Sequence, residues 1–196
     1  MDYRAAKQYI LKRLRRELSP ALHYHGLHHT LDVLRMATTI CNQEGIGGHN
    51  LKLVKTAALF HDAGFVKNKH EGHEHQGCLI VREQLPQMGY TEADIETICG
   101  MIMATKIPQS PKNRLEEILC DADLDYLGRS DFYTIGRSLF EELKAYKMLE
   151  EEQAWNRLQV NFLSAHHFHT RTNIQSRDPI KKQHLENLKA LIASYQ

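Results

Sequence analysis

The residues that most constrain this chain are His61 and Asp62, which close the apolar run Ala57-Ala58-Leu59-Phe60. Such a run belongs inside a protein, and an ionised carboxylate carried in with it is costly unless it is paired, hydrogen-bonded or bound to a cation. A fold that buries Phe60 must therefore supply Asp62 with positive partners. His61 offers a neutral nitrogen ligand beside that hard oxygen ligand, a combination suited to Zn²⁺, Mn²⁺ or Fe. Two ligands rarely complete a site, so further donors are expected elsewhere in the chain.

The chain has room for such a site. Its 196 residues, 42% hydrophobic and 25% charged, have the balance of a soluble globular protein with a sizeable core. The net charge of +1 provides no global field to draw nucleic acid or anionic lipid. Cys41, Cys78, Cys99 and Cys120 form no CxxC pair, which favours reduced thiols and a cytoplasmic setting. No apolar run approaches the ~20 residues of a membrane span, and the polar start Met1-Asp2-Tyr3-Arg4 does not read as a signal peptide. The unusual count is 13 histidines, nine of them between His23 and His75.

Helical spacing runs through the chain and strand alternation is essentially absent, so the expected fold is all-α. Residues 3 to about 18 place Ile10, Leu11, Leu14 and Leu18 near one face and Lys12, Arg13, Arg15 and Arg16 on the other. With Glu17 beside them, these cations read as a solvated surface rather than a nucleic-acid face. A second helix carrying Val33, Leu34, Ala37 and Ile40 reaches about residue 44. At its start His25 and His29 stand four apart and share a face if the helix extends back that far. His23, His25, His28 and His29 fall within seven residues, and at least one of them is read as a ligand. Residues 45–50 are a loop by composition. The next helix, 51 to about 63, delivers His61 and Asp62 at its C-terminal end, with Gly64 as its stop.

Residues 65–72 read as a polar loop, after which His73-Glu74-His75-Gln76 opens a helix reaching about residue 85. Positions i and i+2 point apart on a helix, so at most one side chain of this group is expected to face the centre. Thr91 with Asp94 makes a capping box for a helix over 92 to about 104. Beyond a proline-bounded loop, a helix over about 113–126 is apolar at Leu115, Ile118, Leu119 and Ala122. Asp121 and Asp125 are expected on its solvated edge. Asp123, four after Leu119, sits at the core edge and needs a cation there. The alternating aspartates lack the glycine and terminal glutamate of a calcium loop. Three more helices are expected, over about 131–150, 151–169 and 179–195. His166, His167 and His169, with no carboxylate in company, read as surface or structural. Nothing in the composition divides the chain, so 1–196 reads as one domain, with a motif core over about 22–127 and supporting helices over about 131–195.

His29, then His61-Asp62, then Asp123 stand in the order H…HD…D. With Tyr24-His25 and Val33 around the first histidine and Asp121-Ala122 before the last aspartate, the chain resembles the HD-domain metal-dependent phosphohydrolases. The resemblance spans about residues 22–127. It implies a core of five or more helices around a metal held by His29, His61, Asp62 and Asp123. The segment Tyr24-His25-x-x-x-His29-x-x-x-Val33 is also similar to one in class I cyclic nucleotide phosphodiesterases. There the earlier histidine protonates the leaving oxygen, which by resemblance is the role of His25. No counterpart of that family's glutamine-and-aromatic purine pocket is evident in the sequence. In smaller HD phosphohydrolases a glutamate soon after the His-Asp pair takes part in catalysis, and Glu74 stands at that place.

Two histidines and two carboxylates suit Mn²⁺, Mg²⁺, Fe or Zn²⁺, as one ion or two. The reaction implied is hydrolysis of a phosphate mono- or diester, a nucleotide or cyclic nucleotide, by metal-activated water. Asp62 joins the chemistry, Glu74 activates or orients water, His25 protonates the leaving group, and Lys67 and Lys106 grip phosphate. The expected partner is a small-molecule phosphate ester, with no membrane and no nucleic acid; a homodimer is left open. Two other functions fit the same residues. One is a metal or nucleotide sensor that binds without turnover, although such a module has no need of Glu74 and His25. The other is a di-iron oxygenase of the same fold, with His25, His28 or His73 on a second iron.

Overall fold

In the computed structural model, which describes residues 1–67 and 71–195, the elements are helices, and no strand forms among the described residues. α1 (Tyr3–Glu17) starts at Asp2, whose carboxylate accepts the Ala5 N–H at 2.9 Å, and buries Ala6, Ile10 and Leu14 at helical spacing. α2 (Leu27–Gln43), α3 (Gly48–Phe60), α4 (His73–Gln84), α5 (Glu92–Ala104) and α6 (Arg114–Asp123) close with it on one apolar core. α3 packs against α1, α2, α5 and α6, which is why every residue from Thr56 to Phe60 is buried. The one hydroxyl in that stretch is satisfied: Thr56 Oγ1 lies 2.8 Å from both the Lys52 carbonyl and the Tyr90 hydroxyl. Burying a side chain such as Phe60 or Leu59 contributes about 1.5–3 kcal/mol each. The expected capping box is present, with Thr91 accepting the Asp94 N–H and Asp94 accepting the Thr91 N–H.

α7 (Phe132–Ala145), α8 (Glu152–Ala165) and α10 (Asp178–Ala193) contribute to a second apolar cluster, with the short α9 (Arg171–Ser176) between α8 and α10 in the chain. It joins Tyr24, Leu124 and Tyr126 to Phe132, Leu163 and Leu188. Two aspartates expected on a solvated edge tie this part down instead. Asp121 is wholly buried and accepts the His169 N–H, the Thr170 N–H and the Thr170 hydroxyl at 2.9, 2.7 and 2.6 Å. Asp125, also buried, accepts from Arg177 and Asn173. Their partners come from a segment about 50 residues further along, so local spacing could not reveal them.

Other departures are local. α3 begins at Gly48, inside the expected loop, and ends at Phe60, followed by a 3-10 turn, Ala63–Lys67. Gly64 lies within that turn rather than stopping the helix. A Cβ there would fall 1.9 Å from the His73 carbonyl oxygen, so glycine lets the start of α4 press against the turn that follows Asp62. Gly72, just before α4, has φ +75°, a left-handed conformation that glycine adopts without strain. Of the loop expected at 65–72, positions 68–70 lie outside the described residues. The helix expected to reach 126 ends at Asp123 and continues as a 3-10 turn, Asp125–Gly128. Asp131, just before α7, takes Arg129 with its carboxylate and makes no cap hydrogen bond, and α9 lies where no helix was expected. Among the described residues no helix is long and apolar enough to cross a membrane.

Candidate metal centre

The end of α3, the first turn of α2 and the end of α6 meet at one point. His29, His61 and Asp123 each bring a ligand atom there, all within 4.8 Å of one another. His29 Nε2 lies 3.0 Å from Asp123 Oδ1 and 3.3 Å from His61 Nε2. Asp62 closes the group, its Oδ2 3.1 Å from His61 Nε2 and 3.4 Å from His29 Nε2. That oxygen is buried and makes no hydrogen bond among the described residues. The His61 ring is oriented from behind, because its Nδ1 donates to the Ala58 carbonyl at 2.9 Å. A carbonyl can only accept, so Nδ1 carries a proton and Nε2 is the nitrogen turned to the centre, as in metal-binding histidines.

The charges lead to the same conclusion. Burial would push the His61 imidazole down, yet Asp62 and Asp123 hold it well above its ordinary value. Burial would likewise raise the two aspartates, but His61, His29 and, for Asp62, His25 hold them far below the usual carboxylate range. Two buried carboxylates are balanced here by protons on imidazoles, and a divalent cation would take over that balance as the imidazoles deprotonate. An orphaned buried carboxylate oxygen, two Nε2 atoms and a second aspartate fit such a cation.

Around the cluster, the other expected site residues fall into two sets. His25 and Glu74 line the cavity beside it. His73 and Glu74 both face the centre, contrary to expectation: His73 Nε2 is 3.5 Å from Asp62 Oδ1 and 3.5 Å from Glu74 Oε1. As the first two residues of α4 they occupy the turn that meets Gly64, while His75 is exposed. Lys67 and Lys106 are exposed and neither lines the cavity. His28 is exposed as well.

Sequence reading missed Glu142. Fully buried on α7, it accepts the backbone N–H groups of Tyr24 and His25 at 2.8 and 3.0 Å with Oε2, and pairs with His25 Nδ1 at 2.5 Å through Oε1. Burial would lower His25, but the Glu142 bond and the Asp62 charge raise it, while the same bond holds Glu142 below its ordinary value. A signal existed: Glu142 follows Ile135 and Leu139 at seven and three residues, on their apolar stripe.

The cavity holds about 260 Å³ and runs from Asp62, Asp123, Glu74 and His25 to a wall made by α7 and α8. Gln159, Trp155 and Phe162 stand in that wall, so a glutamine among aromatics is present although none was evident in the sequence. Gln159 is oriented by its bond to Asn156, Nε2 to Oδ1 at 3.1 Å, and Asn156 in turn donates to the Tyr195 hydroxyl.

A family model described as the HD domain matches residues 26–125. No curated protein matches the sequence. The fold is similar to the crystal structure of a predicted HD superfamily hydrolase from an uncultured Thermotogales bacterium. The TM-score is 0.63 at 21% identity, over 96% of this chain and 92% of that one. It is also similar to YpgQ of Bacillus subtilis in complex with ADP, with TM-score 0.63 at 19% identity, over 99% of this chain and 100% of that one. At these identities the likeness is one of fold.

Proposed function

The chain belongs to the HD-domain family, and on that premise we propose that it is a metal-dependent hydrolase of phosphate mono- or diesters, nucleotides among them. The observation that carries this reading is the buried, unbonded Asp62 Oδ2 among His29, His61 and Asp123, at one end of a cavity that also contains His25. These four residues would hold the cation. When bound, such an ion supplies charge for the phosphoryl oxygens and acidifies water.

The chain's own groups supply the rest. Glu74, buried at the cavity wall, is positioned to accept a proton from the attacking water. Glu142 holds Nδ1 of His25, so a proton given to the departing oxygen comes from Nε2. Burial works against the charged ring, but the Glu142 bond and the Asp62 charge outweigh it, so His25 holds its proton more firmly than an ordinary imidazole. A sensor needs neither group, which favours turnover. The nucleotide part of the reading rests on the wall: an amide beside aromatic faces suits a base. YpgQ, of similar fold, is in complex with ADP.

The test is a panel of cyclic AMP and GMP, nucleoside mono- and triphosphates and bis-nitrophenyl phosphate, with Mn²⁺, for wild type and Asp62→Ala. Metal-dependent turnover that disappears in the variant, with its helical signal retained, is expected. Full activity in Asp62→Ala would sink the assignment. Silence of the wild type with metal bound would shift the reading to a sensor, and two irons per chain with a visible absorption band would shift it to an oxygenase.

A further inference from the structure

The wall beside the ligand cluster has a chemistry of its own. Leu139 and Leu143 of α7 and Trp155, Leu158, Phe162 and Leu163 of α8 line it, with Gln159 as the amide in their midst. The charged side chains of the lining, apart from histidine, are Asp62, Glu74 and Asp123, all acidic, and among the described residues no lysine or arginine lines the cavity. A second or third phosphate would bring further negative charge into this space, where anions need cationic partners to offset desolvation. An uncharged apolar body gains with every methylene it buries. The volume of about 260 Å³ admits one ring system or a short chain.

We propose that the substrate carries a single phosphoryl group, monoester or cyclic diester, joined to an apolar or aromatic body seated between α7 and α8; this rests on the phosphohydrolase reading above. Gln159 is the amide of the α7–α8 wall, and it offers that body one hydrogen-bonding edge: its carbonyl oxygen and the Nε2 hydrogen not given to Asn156. Two sources share this chemistry, the base of a nucleoside monophosphate and a hydrocarbon alcohol. Leu158, 47% exposed, is the wall residue most open to solvent and best placed to tolerate substitution.

The experiment measures kcat/KM with Mn²⁺ for the n-alkyl phosphates from ethyl to hexyl, whose leaving groups differ little in basicity. AMP, ribose 5-phosphate, ADP and ATP are run beside them. A rise of about two- to fourfold per methylene, the order expected for burying one CH₂, identifies a hydrocarbon body. A tenfold or greater preference for AMP over ribose 5-phosphate identifies an aromatic one. Either supports the proposal, provided ADP and ATP are poorer than AMP and hexyl phosphate. Leu158→Asp should then cut the hexyl-to-ethyl or the AMP-to-ribose-5-phosphate ratio at least fivefold. A flat alkyl series with no preference for AMP, or preference for ADP or ATP, overturns it. If no ester turns over, calorimetry of the matching alkylphosphonates separates the two readings. Affinity that climbs with chain length keeps the apolar seat and removes hydrolysis; flat affinity removes both.

Discussion

His25 reaches the cavity with Nδ1 tied to Glu142, and the tie shapes both its orientation and its proton affinity. Removing the ring and removing its support should therefore leave related signatures. His25→Ala should slow esters of ordinary alcohols by about 10²–10⁴, the usual contribution of a general acid, and nitrophenyl esters much less, since that leaving group departs without a proton. Glu142→Gln should give the same pattern at about 10–100-fold, the scale seen when an orienting partner is lost. Equal losses on both kinds of ester would remove His25 from the acid role. Glu142 also accepts two backbone N–H groups, so thermal melting must accompany the kinetics to separate positioning from folding.

At the scale of elements, the junction between α8 and α10 has a built-in sensitivity to acid. Lys181 Nζ donates to the His166 carbonyl at 2.6 Å and lies 3.3 Å from its Nδ1, while Asp178 accepts from Lys181 at 3.1 Å. Burial first, then Lys181, His169 and His167, push His166 down to about 3, with Asp178 opposing weakly. The folded value lies below the unfolded one, near 6.5, so the unfolded chain binds the proton more readily. Stability from this group is complete above pH 6.5 and is lost as pH falls toward 3. His25 and His61, raised in the folded protein, act with the opposite sign, so the comparison needs a variant. Between pH 7.5 and 5, urea unfolding should show wild type losing about 1–2 kcal/mol relative to His166→Phe. A difference that does not change with pH would show that His166 is not held neutral.

For the whole molecule, the ligand cluster couples metal to folding, since α2, α3 and α6 each contribute to it. A cation that binds only the folded chain stabilises it by about 2.7 kcal/mol at 100 times its dissociation constant. That corresponds to a rise in Tm of roughly 5–10 °C for a chain of this length. Calorimetric scans with Mn²⁺, Mg²⁺, Fe²⁺ and Zn²⁺ should reveal such a rise for at least one of them, reversed by chelator and absent in Asp62→Ala. No rise with any of the four would count against a metal centre.

How much was legible in the sequence follows from the range of the forces involved. Helix periodicity, the Thr91–Asp94 capping box and the conflict between Phe60 and Asp62 are local, and by themselves they determined an all-α chain with His61 and Asp62 at a buried polar site; that His29 and Asp123 complete the set was implied by the resemblance to the HD-domain family. Where an acidic side chain ends up was decided only by tertiary structure. Asp121 looked solvated yet is buried, because backbone N–H groups 48 and 49 residues away satisfy it. Glu142, which drew no reading from the sequence, supports His25 across 117 residues. His73 and Glu74 turn inward together because Gly64 lets the first turn of α4 approach, and Gln159 and Phe162 come to line the cavity beside the ligand cluster only through the tertiary placement of α8. In each case the free energy lies in desolvating a polar group and pairing it with a distant partner, and spacing along the chain carries no record of that partner.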